Sequence, residues 1–287
     1  TRSCHHDLKT ADQTRMVYQC LGPLYMNMVE DRALSTAEAS MGDELLCQSA
    51  RVHVAIARSE HRIAQALALR ARVFRERMQH GSGRRLMRDD DIFDPWCTHL
   101  VAIDPDRDDV VGTYRILTPE SARELGCRYA EQEFWLTRLD PLRHEIVELG
   151  RACVDPAYRG GTSLMLMWSG LSRWLSGKHY THLMGCVSVS LSDGPDHVTQ
   201  LYHQLMPGHD AGESFRVWPL QRLPRSTAQT PGPIDVPPLL RAYLRAGAMI
   251  MGEPCVDFEL DCADFPVILP LERLDQRFKQ RFGPLAA

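Results

Sequence analysis

The sequence contains no Cys-x-x-Cys pair, although it has nine cysteines. Their number is odd, and several fall inside apolar segments, where a reduced cysteine behaves as a small hydrophobic residue. This pattern disfavours a disulfide scaffold and favours a reducing compartment, so we expect a cytoplasmic protein. No group of residues has the spacing of a known metal site, and we predict none.

Long apolar runs and an excess of positive charge are also missing. No apolar run approaches the ~20 residues that span a bilayer, and the N-terminus lacks the basic-then-apolar pattern of a signal peptide. The chain has 33 Lys and Arg residues against 37 Asp and Glu residues, a net charge of −4. Global charge therefore predicts neither nucleic-acid nor membrane binding, and an acidic partner would need a local basic patch.

The regular elements predict a mixed α/β fold. Residues 1–50 have weak periodicity apart from one expected helix, Thr36–Gln48, and form a poorly determined leader. The pattern then alternates between strands and single helices, which is typical of a mixed sheet flanked by helices. The predicted elements are a strand at Val52–Ile56, a helix from Glu60 to Phe74, a hairpin of Thr98–Ile103 and Val110–Leu117, a crossover from Val147–Val154 through a helix at Leu164 to His182–Ser190, helices at Pro195–Leu205 and Leu239–Arg245, and strands at Cys255–Leu260 and Phe265–Leu269.

A glycine turn opens the helix of the crossover. Arg159-Gly160-Gly161-Thr162 follows the strand that carries Glu148 and Arg151. Such a turn leaves backbone N–H groups unpaired at the positive end of the helix dipole, which makes an anion site, usually for phosphate. The alternative is an ordinary corner in which the glycines only reverse the chain.

Five motifs occur in order along the chain. They are Leu69-Arg70-x-x-x-Phe74, Asp91-Ile-Phe-Asp94, Val111-Gly-Thr-Tyr-Arg115, Glu148-Leu-Gly-Arg151 with Val154-Asp-Pro-Ala-Tyr-Arg159, and a tail from Pro237 to Gly247 followed by Asp264-Phe-Pro-Val. Together they resemble the acyl-carrier-protein-dependent N-acyltransferases with the acetyltransferase-like (GNAT) fold. Among these the chain looks most like the bacterial ornithine N-acyltransferases, with autoinducer synthases more distant.

The resemblance covers about residues 51–282. It implies a single GNAT-like domain with a core of 51–205 and a family-specific C-terminal region of 206–282. The implied reaction transfers a 3-hydroxyacyl group from acyl carrier protein to the α-amine of ornithine and gives lyso-ornithine lipid, without a bound cofactor. An amphiphilic product is compatible with peripheral contact at the inner membrane face. The alternatives are another amine acceptor, an acyl-homoserine-lactone synthase, or a non-catalytic acyl-carrier or lipid-binding module.

The glycine turn departs from the pattern of acetyl-CoA-dependent enzymes. Those enzymes have a fuller Arg-x-x-Gly-x-Gly/Ala turn, whereas the fourth and sixth positions here are Thr162 and Leu164. The resemblance therefore favours phosphopantetheine on a carrier protein over coenzyme A. Its phosphate would bind to Arg159, Gly160, Gly161 and Thr162.

The charged motif residues are the candidate active site. Acyl transfer to an amine needs a base, and the resemblance implicates Glu148 in that role together with Arg151. The alternative for Glu148 is an ion pair with Arg151 or Arg115 that holds the strands in register. The predicted substrate-binding residues are Arg70, Phe74, Asp91, Asp94, Arg115 and Asp264. Five charged residues either form a buried network of mutual pairs or lie on the surface: Arg70, Asp91, Asp94, Arg115 and Arg151.

Three further groups have more than one interpretation each. Phe74, Phe93 and Trp168 line an acyl tunnel or belong to the core, and a basic face of Arg84, Arg85, Arg88, Arg173 and Lys178 receives the carrier protein or is solvated. Asp257, Glu259 and Asp261 share a strand face that holds the ornithine side chain, binds Ca²⁺ or faces water. His182, His197 and His203 have no nucleophilic Ser or Cys beside them, which favours direct transfer.

Overall fold

The computed structural model describes residues 42–77, 89–159, 162–224, 232–258 and 260–274. The strands in this part of the chain are β1 (Glu44–Gln48), β2 (His53–Ala57), β3 (Thr98–Asp104), β4 (Asp109–Leu117), β5 (Phe134–Trp135), β6 (Ile146–Val154), β7 (His182–Ser190), β8 (Trp218–Pro219), β9 (Met249–Ile250), β10 (Cys255–Asp257) and β11 (Cys262–Pro270). The α-helices are α1 (Glu60–Arg77), α2 (Pro119–Leu125), α3 (Thr162–Leu175), α4 (Pro195–His209) and α5 (Pro238–Ala246).

Nine strands form one mixed sheet in the order β1-β2-β3-β4-β6-β7-β11-β10, with β9 pairing β11. Every pair in it is antiparallel except β6 and β7, which are parallel and are joined through α3. The predicted mixed sheet, hairpin and crossover are confirmed. Strands β5 and β8 form a separate two-stranded sheet.

Helices cover both faces of the sheet because its strands alternate in side-chain direction. On one face α1 packs Leu69 and Val73 against β2 and β3. On the other face α3 packs Met167 and Leu171 against β2, β3 and β4. Helices α4 and α5 cover β7 and β11, where Phe265 is fully buried. Burial of each such side chain contributes about 1.5–3 kcal/mol, and this burial fixes the sheet around the site.

The helix predicted for Thr36–Gln48 is wrong over Glu44–Gln48, which forms β1. This strand pairs antiparallel with β2, so pairing with an available sheet edge outweighs the local preference for helix. Residues 36–41 lie outside the described part of the chain. Strand β1 precedes residue 50 and belongs to the same sheet, and the division into a leader and a single domain stays a prediction.

The C-terminal strands differ from the prediction in length. Strand β10 ends at Asp257, whose carboxylate accepts a hydrogen bond from the N–H of Leu260 at 3.0 Å. Asp261 follows with a φ of 48°, in the left-handed region. The chain therefore turns here, and the predicted strand face shared by Asp257 and Asp261 is wrong; Glu259 lies outside the described residues. Strand β11 begins earlier than predicted, at Cys262, and pairs with β7 along its whole length.

Helix α4 continues past its predicted end at Leu205 to His209, with Pro207 in its last turn. Helix α5 ends as predicted, because Gly247 adopts a φ of 107° at its C-cap. Among the helices in the described part of the chain, none has the length and apolar content to cross a bilayer.

Candidate active site

The candidate site lies where the parallel strands β6 and β7 part. Their pairing covers only Ile146–Glu148 on β6 and His182–Met184 on β7, although both strands continue for six more residues. At the last contact the backbones are very close, since a Cβ atom on Gly185 would lie 2.5 Å from the carbonyl oxygen of Leu149. Beyond this point the two strands diverge and leave a gap in the middle of the sheet.

A bulge in β6 turns this strand further away. The register between β4 and β6 shifts between the pairs Thr113–Cys153 and Arg115–Gly150, so β6 contains one extra residue there. Arg151 lies in the bulge with a φ of 50°, a conformation that costs a residue with a Cβ of the order of 1–3 kcal/mol. The bulge places the Arg151 side chain over the rings of Phe74 and Tyr129, at 5.8 and 5.5 Å.

The gap opens into a cavity of about 930 Å³. Its lining differs between the two faces of the sheet. On the face covered by α3 and α5 the lining is mostly apolar: Tyr114, Leu164, Val187, Val189, Leu239 and Tyr243. On the opposite face the polar groups lie beside the rings of Phe74, Phe93 and Tyr129: Arg115, Glu133, Glu148, Arg151, Cys186, Ser188 and Asp264. The cavity therefore connects an apolar compartment to a charged one through the parted strands.

Behind the charged compartment lies a buried network of ion pairs. Arg70 is fully buried and pairs with Asp94 at 2.5 Å and with Asp89 at 2.8 Å. Arg115 pairs with Asp91 at 2.6 Å and with Asp94 at 3.4 Å. Burial alone would raise the pKa of Asp91, but Arg115 and Arg151 lower it below the usual value, so this carboxylate stays ionised. The predicted mutual pairing of these charges is observed.

Most residues of the ion-pair network lie behind the residues that line the cavity. Among the described residues that line the cavity are Arg115, Arg151 and Phe74, but not Arg70 or the aspartates at positions 91 and 94. Arg151 is held loosely, with Asp91 at 3.4 Å and Asp89 at 3.7 Å. Its Nε is buried and makes no hydrogen bond to any described residue, so the pairing of this guanidinium group is incomplete within the described part of the chain. A direct contact of Arg70, Asp91 or Asp94 with a substrate stays a prediction.

Glu148 is buried and is held by backbone amides. Its Oε1 accepts a hydrogen bond from the N–H of Ala130 at 2.7 Å, and its Oε2 accepts one from Tyr129 at 3.1 Å. Within the described part of the chain no arginine lies within 4.0 Å of it, so the alternative of an ion pair with Arg151 or Arg115 is wrong. Burial raises the pKa of Glu148, against the opposing effect of Arg128 and the two amides. Glu148 lines the cavity, and each oxygen can accept a second hydrogen bond.

Two more carboxyl groups lie in the charged compartment. Asp264 is on β11, opposite Ser188 of β7. Glu133 follows the 3-10 helix Tyr129–Gln132 and is 9% exposed. Burial, reinforced by Asp264, raises the pKa of Glu133 well above its usual value, and burial raises the pKa of Asp264 to about 6. Asp257, Cys262 and Asp264 bring one possible ligand atom each within 4.8 Å of one another, but burial raises the pKa of the Cys262 thiol and keeps it protonated.

The chain is similar to known acyltransferases over most of its length. The acetyltransferase (GNAT) domain pattern matches residues 69–169. The L-ornithine N(alpha)-acyltransferase of Brucella abortus is 30% identical over 265 residues, which are 85% of this chain and 94% of that protein. The chain belongs to the L-ornithine N(alpha)-acyltransferase family. The family member from Rhizobium meliloti is 29% identical over 266 residues, covering 86% and 89% of the two chains.

A solved coenzyme A-dependent acyl-homoserine lactone synthase, BjaI, superposes on this family member with a TM-score of 0.47 and 14% identity. The match covers 86% of this chain and 93% of that one. Membership of the family makes the protein an acyltransferase, as the sequence motifs predict, and the GNAT domain match confirms the predicted fold class.

The glycine turn of this acyltransferase lies at the rim of the cavity. Arg159 is exposed, lines the cavity and donates from Nε to the carbonyl of Val154 at 3.2 Å. Thr162 is the first residue of α3 and is exposed. Gly160 and Gly161 lie outside the described residues. The phosphate role of this turn stays a prediction.

The aromatic candidates take different positions in this acyltransferase. Phe74 and Phe93 line the cavity beside the arginines, with Arg115 5.5 Å from the Phe93 ring. Trp168 stacks on Tyr243 at 5.4 Å and donates to the Tyr114 hydroxyl at 3.1 Å, behind the residues that line the cavity. Trp168 therefore packs behind the apolar compartment, which favours the core interpretation for this residue.

Glu133 is the cavity residue that the sequence motifs do not indicate. It lies in the segment Glu131-Gln-Glu133-Phe134-Trp135, which has no periodicity and looks like a polar loop. Its position depends on the pairing of β5 with β8, which come from distant parts of the chain, and on a hydrogen bond from the Leu220 N–H to its carbonyl at 2.8 Å. The one signal in the sequence is the adjacent Phe134, which is buried, whereas Trp135 is exposed.

Proposed function

We propose that the protein transfers a 3-hydroxyacyl group from acyl carrier protein to the α-amine of ornithine and so forms lyso-ornithine lipid. The names of its relatives support the acceptor. The observation that carries the proposal is the cavity that crosses the sheet between β6 and β7. An acyl donor and an amino acid acceptor need such a site, because one is apolar and the other carries charges.

The apolar compartment suits the donor. Leu164, Val187 and Tyr243 would surround the acyl chain, and each buried methylene contributes about 0.8 kcal/mol. Beyond Glu148 and Met184 the facing edges of β6 and β7 make no ladder hydrogen bonds with each other. Their backbone groups can pair with the two amides of a phosphopantetheine arm, as in the addition of a strand to a sheet edge. Arg159 and the start of α3 would then meet its phosphate.

The charged compartment suits the acceptor. Arg151 lines it and has an Nε with no hydrogen bond to a described residue, so it would bind the α-carboxylate of an amino acid. Glu148 lies on the same strand, three residues away, at the point where the strands part. This arrangement would place the α-amine between Glu148 and the thioester.

The reaction would be direct. The amine nitrogen attacks the thioester carbonyl, a C–N bond forms and the C–S bond breaks. Glu148, directly or through one water, takes the proton that the amine loses, and the departing thiolate takes up a proton. The cavity thiols do not favour a covalent intermediate, because burial raises the pKa of Cys97, Cys186 and Cys262 and keeps them protonated.

The test incubates purified protein with a 3-hydroxyacyl carrier protein and a panel of amines, and identifies the products by mass spectrometry. We expect Nα-acylated ornithine from the carrier protein. The same acyl group on coenzyme A serves as the matched donor. Product with another amino acid but not with ornithine would overturn the acceptor, and equal rates with both donors would overturn the dependence on carrier protein. Binding of the acyl donor without turnover would favour the non-catalytic alternative.

A further inference from the structure

Glu133 and Asp264 approach the charged compartment from two separate elements. Glu133 follows a 3-10 helix, and Asp264 belongs to β11. They are only 9% and 4% exposed, and both line the cavity. The proton transfer assigned to Glu148 uses neither of them.

Neither carboxyl group has a positive partner. Throughout the described residues, no nitrogen of Lys, Arg or His lies within 4.0 Å of either one. The Oε2 atom of Glu133 is buried and accepts no hydrogen bond from a described residue. Unpaired carboxylates in such a place are costly, by several kcal/mol each. Their hydrogen-bond partners are neutral, Tyr129 and Cys186 for Glu133 and Ser188 and Cys262 for Asp264, so a cation that enters the cavity would supply the missing positive charge.

The other groups around the pair are neutral or acidic, apart from one arginine. Tyr129 and Cys186 face Glu133, and Ser188, Cys262 and Asp257 face Asp264. Arg151 acts on Asp264 from β6, but its nearest carboxylates are Asp89 and Asp91. Burial raises the pKa of both groups, reinforced by Asp264 in the case of Glu133 and by Asp257 in the case of Asp264, and this favours their protonated forms. The pair can therefore exchange a proton for a bound ammonium group.

We propose that Glu133 and Asp264 bind the side-chain ammonium of the acceptor and thereby select ornithine over uncharged amino acids. This inference rests on the proposed function. With the α-carboxylate on Arg151 and the α-amine at Glu148, the three methylene groups of ornithine extend its second amine away from the reacting centre. Glu133, directly after the 3-10 helix, and Asp264, on β11, would bind that amine.

The test compares L-ornithine with L-norvaline, which has the same carbon chain without the second amine. The kcat/KM of the wild-type protein should be at least about 100-fold higher for ornithine than for norvaline. Norvaline lacks the ammonium group that the two buried carboxylates would bind. In Glu133→Gln and Asp264→Asn we expect this ratio to fall at least about 10-fold, mainly through a higher KM for ornithine. Glu120→Gln, whose carboxylate accepts from Tyr180 at 2.9 Å outside the cavity, is the matched control.

The outcomes separate the inference from the proposed function. A wild-type protein that acylates ornithine, together with variants that keep its preference over norvaline, would overturn the inference alone. Variants that lose activity equally with both acceptors would also overturn it, since this indicates a catalytic or folding role. A wild-type protein that acylates neither acceptor would overturn both.

A second measurement needs no variant. Calorimetric titration in two buffers of different ionisation enthalpy counts the protons released on binding. Below neutral pH, ornithine should release about one proton more than norvaline, because the carboxyl pair ionises as the ammonium enters. Equal proton release for the two amino acids would contradict the proposed subsite.

Discussion

Glu148 combines two properties that a general base needs, a fixed position and a raised pKa. Two backbone amides orient its carboxylate, and burial raises its pKa toward neutrality. A base must be ionised, so a raised pKa moves the onset of activity to higher pH. The fold therefore places an ionisable group where both its geometry and its proton affinity are set by the surroundings.

Replacing Glu148 by Gln should lower kcat by about 10²- to 10⁴-fold, because the amide cannot accept the proton of the amine. The wild-type rate should rise with pH through a pKa above that of an ordinary glutamate, and this limb should disappear in the variant. Steady-state kinetics across pH, with circular dichroism to confirm folding, provide the measurement. Turnover equal to that of wild type would remove Glu148 as the base.

Arg70 is fully buried and forms ion pairs with Asp89 and Asp94, so we expect it to contribute to stability. Replacing it by Met should lower the free energy of unfolding by about 3–5 kcal/mol, because Asp94 would remain buried without its closest cation. Arg58→Met is the matched control, since its ion pair with Glu44 is about half exposed and should contribute less than about 1 kcal/mol. Urea denaturation of both variants measures the difference. Similar losses in the two proteins would contradict the structural role of Arg70.

Some site residues can be identified from the sequence, and others cannot. Arg70, Arg115 and Arg151 are found through motifs, because their chemistry and spacing are characteristic together. The positive φ of Arg151 could not be predicted, since it depends on the register between β4 and β6. Glu133 could not be predicted because nothing local distinguishes it from a solvated loop glutamate.

Gly185 controls the point at which β6 and β7 part. In Gly185→Ala the new methyl group would meet the Leu149 carbonyl at 2.5 Å, and a backbone atom cannot move aside cheaply. We expect a loss of about 1–3 kcal/mol of stability and lower acyltransferase activity. Gly208→Ala in α4 is the control, because nothing lies within 4 Å of its Cβ position. Thermal melts that rank the two variants in the opposite order would contradict this role.

Two of the predicted basic residues lie at opposite ends of helix α3. Arg159 lies just before its first residue, whereas Lys178 follows its last residue and stacks on Trp174 at 4.8 Å. At 1.5 Å per residue the helix is roughly 20 Å long. The donor phosphate can therefore meet only one of these ends, and Arg84, Arg85 and Arg88 lie outside the described residues.

Arg159→Ala should raise the KM for acyl carrier protein about 10-fold or more, since it removes a charged hydrogen bond to phosphate. Lys178→Ala at the other end of α3 should leave this KM within about twofold. Initial rates at varied carrier-protein and salt concentrations distinguish the two variants. A larger effect of Lys178→Ala would move the donor site to the opposite end of the helix.

Elements with clear periodicity follow from the sequence, and elements defined by distant partners do not. The hairpin β3–β4 and the crossover β6–α3–β7 are confirmed because their apolar residues alternate or recur at helical spacing. Strand β1 is not predicted, because its conformation depends on pairing with β2. The boundary between β10 and β11 is not predicted either, because it depends on a turn that Asp257 stabilises.

At the scale of the whole molecule, the site belongs to the sheet rather than to any one loop. Strands β1–β4 and β6 form one antiparallel portion, and β7, β11 and β10 form the other. The fold class and the approximate position of the site follow from the sequence, because the crossover and its charged motifs are local. The depth of the cavity and its division between the two faces require the three-dimensional pairing.

Because β6 and β7 part, the sheet consists of two portions that are joined only over the first residues of these two strands. The ladder between the two portions has three residue pairs, although hydrophobic packing continues across it. Val147 of β6 and Leu183 of β7 belong to one cluster, and Ile146 and Met184 belong to another. The angle between them can change without breaking a ladder inside either portion. An acyl donor lying between their edges would contact both portions and restrict this change of angle. The enzyme with bound donor would therefore be stiffer than the free enzyme.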